Sequence, residues 1–444
     1  MDVSPITIGV ISIGVVLCLL LIGVPIGLGL GLVGFVGFIM VSGLPAALGC
    51  LSTLPYHVGM QWALVVIPMF MLMGNFASYG GVGRDLFDAS EKWLGRLPGG
   101  LLITTTVAAC GFGFASGSSL ACAATFTTIA LPEMDRHGYH RGFTCAGIAS
   151  AGTLDALIPP SGMMVVYCAF TEASLGKLLI AGILPGFLTG FIFIVATLIT
   201  VWMRPEWAPV SPSGAPLKEK LKALWTIGPL LPIAVVSLGG IYLGIFTATE
   251  GGAAGALIAL IIGLIRQRGR KFLPSLRDAL FSAVRTTCMI FLIIIGAFIY
   301  SRFLSTTGIM AAVSDLIMSR GFSPLTVVIL VMVLLLILGT FLEAVAIVAL
   351  TMPIFFPIMV QLGVDPIWFG ILVVMLVEIG VLTPPLGTNV YVVHASAKSI
   401  GYNVSLGEIF GALLPFFFGY LVSVAIIIAF PGIATWLPTQ MLGK

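Results

Sequence analysis

The chain repeats a pattern of glycines and prolines at a spacing of 225 residues. Gly83 matches Gly308, Pro132 matches Pro357, Gly138 matches Gly363, and Pro159-Pro160 matches Pro384-Pro385. The register continues without a gap through Gly162/Gly387, Ser174/Ser399, Gly176/Gly401, Gly182/Gly407 and Gly186/Gly411. Glycine and proline set backbone shape rather than core volume, so the repeated property is a set of helix breaks. Hydrophobic residues make up 59% of the 444 and charged residues 8%, against about 25% charged in a soluble domain. These proportions predict a polytopic membrane protein. A duplicated half with broken helices in such a chain is the pattern of a secondary transporter, whose substrate and ion sites lie where interrupted helices meet. No basic stretch is interleaved with aromatic residues, so nucleic-acid binding has no support in the sequence.

The seven cysteines lack CxxC spacing and mostly lie in apolar stretches, so they read as small hydrophobes rather than a disulfide framework or metal site. No cleavable signal peptide is evident: no Lys or Arg precedes Arg84, and the apolar run from Pro5 to Met40 is too long. That run is roughly 55 Å as helix, enough for two spans or one long broken one, with Pro25 at the break. Arg266, Arg268, Arg270, Lys271 and Arg277 mark a cytoplasmic loop. Counting crossings from it puts 204–222 (Lys218, Lys220, Lys222) and 133–141 (Arg136, Arg141) inside, and 302–323 outside. The stretch 97–132 then starts and ends inside, whereas 322–357 starts and ends outside. The fold expected is an all-α polytopic membrane protein with two inverted repeats, each holding a re-entrant hairpin followed by a Pro-broken helix.

The first hairpin centre contains Gly111, Gly113 and Ser116-Gly117-Ser118-Ser119; the second contains Gly339, Thr340 and Glu343. Such residues free carbonyls and hydroxyls, which at membrane depth must line an enclosed cavity or bind an ion, unless they only permit close helix packing. The broken helices carry Gly152, Thr153 and Asp155 before Pro159-Pro160-Ser161, and Glu378, Gly380 and Thr383 before Pro384-Pro385, with Asn389 after. The oxygens freed there suit an alkali cation, and the half-helix that follows directs a partial positive charge at an anionic group. Asp155, Glu343 and Glu378 are acids inside apolar stretches, which marks function: cation ligand, proton acceptor, or counter-charge for a cationic group. A hydrogen-bonded structural carboxyl is the competing reading.

These residues resemble the large membrane subunit of tripartite ATP-independent periplasmic (TRAP) transporters, the DctM-like family. The resemblance runs through Gly74-Asn-Phe-Ala-Ser78, Leu97-Pro-Gly-Gly100, Ser116–Ser119, Leu131-Pro-Glu-Met134, Ile158-Pro-Pro-Ser161, Ala181-Gly-Ile-Leu-Pro-Gly186 and Thr383-Pro-Pro-Leu-Gly387. It implies the elevator-type architecture of an ion-transporter superfamily, no enzyme activity, and import of an organic acid with co-transported sodium across a bacterial inner membrane. It also implies two partners, a small four-helix membrane subunit and a periplasmic solute-binding protein. Sodium ligands are then expected among Ser116, Gly117, Ser118, Ser119, Gly152 and Thr153 in one half, and Gly339, Thr340, Glu343, Gly380 and Thr383 in the other. Substrate is expected near Asp155, Pro160, Ser161, Glu378, Pro385 and Asn389. Asp155 replaces a small residue common in the family, Glu343 an Asp and Glu378 a neutral polar residue, which points away from a bare dianion toward a zwitterionic or less anionic solute, or toward partial proton coupling. The alternative is a stand-alone sodium- or proton-coupled anion symporter of the same superfamily. The organisation expected is 1–60 as N-terminal scaffold helices, and 61–203 as a first repeat with hairpin 97–132 and broken helix 142–171. A cytoplasmic linker, 204–222, and further scaffold helices, 223–277, follow. A second repeat, 278–430, holds hairpin 322–357 and broken helix 367–397, and 431–444 is a C-terminal tail.

Overall fold

Hydrocarbon offers backbone groups no water, so a chain this apolar folds by satisfying them within helices. The computed structural model describes residues 4–210, 216–266 and 272–441, and among these the regular elements are all helical. Six helices are long and apolar enough to cross a membrane, or up to eight if two bent pairs each count as one span.

One group of helices forms a wall. Pro5–Leu21 and Ile26–Ser42 are separate helices that pack side by side, joined by a turn through Gly23 and Pro25; the N-terminal run is a pair, not one bent span. Ile26–Ser42 lies against Phe272–Thr307, whose 36 residues make about 54 Å of helix. The contact runs along Gly27, Gly34 and Gly37: a Cβ on Gly27 would come 2.6 Å from the Leu292 carbonyl oxygen, and one on Gly34 2.7 Å from Tyr300 Cα. From the other helix, a Cβ on Gly296 would run into the Gly27 carbonyl oxygen. Without a hydrophobic force between helices in lipid, small residues that let backbones touch are what hold such a pair. Val66–Tyr79 and Ala248–Arg266 complete the wall, and Arg266 pairs with Asp85 on the helix Val82–Leu94.

The second group contains two helical hairpins and two broken helices. The hairpins are Gly100–Gly113 with Ser119–Arg136, and Pro324–Phe341 with Ala344–Gln361. Their return arms, residues 119–136 and 344–361, are 225 apart at both ends. The first runs straight through Pro132 and the second through Pro353 and Pro357, each ending four residues past the end expected from sequence, because separated lost donors do not end a well-packed helix. The broken helices are Arg141–Thr153 with Gly162–Thr171, and Pro366–Gly380 with Thr388–Ser399.

Beyond them the gap-free register fails. Ser174 caps Leu175–Ala181 and Ser405 caps Leu406–Ala412, a spacing of 231, so Ser399, Gly401, Gly407 and Gly411 do not occupy the positions of their matches at 225. The second half gains residues in Thr388–Ser399 and in the stretch after it. The expected tail is also partly structured: Gly432–Thr439 docks on the bundle and buries Ala434 and Pro438. The expected linker holds a turn at Pro205–Trp207 and most of a helix, Leu217–Thr226, that runs past its expected end. Residues 211–215 of that linker, the basic positions Arg268, Arg270 and Lys271, and residues 442–444 lie outside the described residues.

Candidate functional site

Each hairpin tip rests on the break of one Pro-Pro helix. In the first half Gly117 takes a left-handed φ of 74°, and its carbonyl accepts the Gly162 N–H at 3.2 Å. A Cβ there would lie 2.5 Å from the Pro160 oxygen, so only glycine lets the tip approach. Ser161 spans the break itself: its hydroxyl donates to the Ala156 carbonyl (2.5 Å) and accepts from the Met164 N–H (3.3 Å). In the second half the Leu386 N–H donates to the Thr340 carbonyl (3.3 Å), and Gly339 meets Gly380 backbone to backbone, a Cβ on Gly380 falling 2.6 Å from Gly339 Cα. The peptide bonds Pro159–Pro160 and Pro384–Pro385 are both cis.

The two halves meet at a cavity of about 120 Å³. Gly117, Ser118 and Ser119 of the first tip and Glu343 of the second line it, with Gly162 and Thr388 from the starts of the two half-helices. Glu378 enters from the second broken helix; it is fully buried, its Oε1 accepts from the Ser119 hydroxyl at 3.4 Å, and its Oε2 has no hydrogen-bond partner. No basic side chain lines this cavity. Glu343, half-buried, also lines a neighbouring chamber of about 270 Å³ between the second tip and the Leu20–Gly27 turn of the wall.

Of the residues expected around the substrate, Glu378 lines the cavity and five do not. Asp155 sits fully buried in the turn Leu154–Ala156, beneath the first tip. Its Oδ2 accepts the Ser118 N–H at 2.6 Å, with the Ser116 hydroxyl and the Gly117 N–H beside it. It therefore ties the tip down and does not line this cavity. Pro160 and Ser161 are buried under the same tip, and Pro385 is exposed. Asn389 is buried at the crossing of the two halves, where its side-chain amide donates to the Ala149 carbonyl (3.3 Å) and its Oδ1 is unpartnered. Asp155→Ala strands the Ser118 donor, which costs about 1–3 kcal/mol. The expected result is a lower melting temperature together with faster hydrogen exchange at 116–119, and a smaller loss for Asp155→Asn, which keeps an acceptor.

The residues expected as sodium ligands fall into two sets, one in each half. Gly152 packs on the Ser119 carbonyl, a Cβ there lying 3.0 Å from it, and the buried Thr153 hydroxyl donates to Ser150 O at 2.7 Å. Ser116 is buried at the first tip. In the other half the Thr340 and Thr383 hydroxyls donate to Ile337 O (2.8 Å) and Ile379 O (2.7 Å) of their own helices, leaving their oxygen lone pairs available. Sequence reasoning missed the wall's contribution: Thr286, Met289 and Ile290 of Phe272–Thr307 and Met71 of Val66–Tyr79 line the same cavity. It also missed Tyr420, fully buried beside Thr153 and Glu378. A lone threonine, methionine or tyrosine in an apolar run carries no signal of its own.

The family model of the tripartite ATP-independent periplasmic transporter, DctM component, matches residues 13–433. The chain belongs to the DctM family. The C4-dicarboxylate TRAP transporter large permease protein DctM of Pseudomonas aeruginosa is 37% identical over 416 residues, covering 93% of this chain and 94% of that one. The isethionate TRAP transporter permease protein DctMQ of Oleidesulfovibrio alaskensis is 33% identical over 380 residues, 86% of this chain and 59% of that one. In fold, the chain is similar to the Alcanivorax borkumensis YdaH transporter, with a TM-score of 0.63, 14% identity and 90% of each chain covered. The family is one of transporter permeases, not enzymes, and its members are multi-pass proteins of the bacterial inner membrane.

Proposed function

We propose that this chain is the large permease subunit of a sodium-coupled importer that carries an organic acid or zwitterionic solute into the cytoplasm. The observation behind this reading is the convergence of both hairpin tips and both half-helix starts on one cavity. There the half-helices Gly162–Thr171 and Thr388–Ser399 direct partial positive charge at an anionic group. Sodium binds in the two sets of backbone and hydroxyl oxygens beside the tips, and its charge offsets Glu343 and Glu378. Those two carboxylates, with no basic side chain opposite, favour a solute screened by cations or bearing its own positive group over a bare dianion.

Movement is of the elevator kind. The hairpins and broken helices travel as a unit past the wall, on the arm helices Val82–Leu94 and Ile309–Ser319. Each arm follows a glycine in the left-handed region, Gly81 (φ 78°) or Gly308 (φ 75°). The two repeats are inverted across the membrane in this reading. A small membrane subunit and a periplasmic solute-binding protein complete the system, as the tripartite family name and a relative named DctMQ suggest.

Calorimetry with sodium, and potassium as control, tests the coupling on the purified chain. Sodium-specific heat is expected, weakened about tenfold (about 1.4 kcal/mol) in Thr383→Ala. A folded sample that gives no sodium heat overturns the sodium reading.

A further inference from the structure

We propose that Leu217–Thr226 is an interfacial helix that binds the anionic headgroups of the bilayer. Its ten residues, LKEKLKALWT, include four charges, too many for the hydrocarbon interior. Leu217, Leu221, Leu224 and Trp225 follow helical spacing on one face, and that face points away from the protein. Their exposures are 66%, 52%, 48% and 86%. Ala223 is the residue the helix buries against its neighbour. An apolar stripe turned outward next to membrane spans is covered by lipid, and the helix bends 46° from Leu230–Tyr242, the segment it leads into.

The charge pattern selects the kind of lipid. Three lysines and one glutamate leave the helix at +2. Lys218 and Lys222, one turn apart and both exposed, border the apolar stripe on the side away from the protein, at the depth where headgroups sit. Lys220 has a different role. Its ammonium lies 5.5 Å from the ring centre of Trp93, and its carbonyl accepts the Trp93 indole N–H at 3.1 Å. Trp93 is near the end of Val82–Leu94, so the lipid-bound helix is fastened to that arm. A phosphatidylcholine surface would take the stripe but give the two outer lysines no net charge to meet.

The test uses the full chain in nanodiscs of mixed phosphatidylglycerol and phosphatidylcholine, with one lipid or the other brominated. The emission difference between wild type and Trp225→Phe isolates Trp225. Brominated phosphatidylglycerol is expected to quench that component at least twofold more than brominated phosphatidylcholine at equal mole fraction. In Lys218→Gln/Lys222→Gln the two lipids should quench equally. Equal quenching in wild type overturns the headgroup selectivity. No quenching by either lipid overturns the site altogether and indicates that protein, a second copy or a partner subunit, covers the stripe. Native mass spectrometry gives a reading that does not depend on tryptophan: wild type should retain phosphatidylglycerol preferentially, and the double lysine variant should lose that preference.

Discussion

Gly380→Val is expected to reduce solute uptake into proteoliposomes more than tenfold and to lower the melting temperature. The atoms a new Cβ would meet are backbone: Gly339 Cα at 2.6 Å, and its carbonyl carbon and oxygen at 3.0 Å. Backbone cannot swing aside as a long side chain does, so Pro324–Phe341 must move off Pro366–Gly380. Overpacking of this kind costs about 1–3 kcal/mol, and here it also shifts the tip that borders the cavity. Gly380→Ala should fall between wild type and Val. Wild-type uptake by the Val variant would show that the two helices do not touch at this point. Both glycines stand among the expected sodium ligands; their contact gives them a packing role whether or not a carbonyl also meets an ion.

Glu378→Gln should separate function from stability. Glutamine keeps the length of the side chain and an oxygen to accept from Ser119, while removing a carboxylate whose Oε2 has no hydrogen-bond partner. A buried charge is costlier than a buried amide, so the melting temperature should hold or rise. On the proposed reading, uptake under a sodium gradient should fall at least tenfold, because the cavity loses the carboxylate assigned there to a cation or a positive group of the solute. Undiminished uptake would reassign Glu378 as a structural carboxyl. Glu378→Ala, which opens space in the core as well, should lose both uptake and stability.

Asp155 and Glu378 each lie just before a Pro-Pro break in opposite halves, although the 225-residue register pairs Asp155 with Gly380 and Glu378 with Thr153. They separate in the fold: one accepts an N–H under the first tip, the other faces the cavity. Side-chain direction within a non-helical turn follows local dihedrals and whichever element packs there, and neither is visible in residue type. The 225-residue register was legible as far as the half-helices because Gly and Pro act locally on the backbone. It was lost past them because the extra residues of the second half fall in a stretch where only a few small residues mark the spacing.

The sequence by itself determined the membrane class, through a mean hydropathy of +1.17, and the positions of the two Pro-Pro helix breaks, because consecutive prolines remove two donors at once, whereas single prolines such as Pro132 stay inside helices. It also carried the family, through short motifs spread along the chain. Tertiary structure alone decided which oxygens face the cavity and which are spent on packing. It alone brought Thr286 and Met289 of the wall opposite Ser119 and Glu378. Those contacts join residues on separate helices far apart in the chain, and their geometry depends on how closely glycine-lined backbones can approach, a property of pairs of helices and not of either one alone.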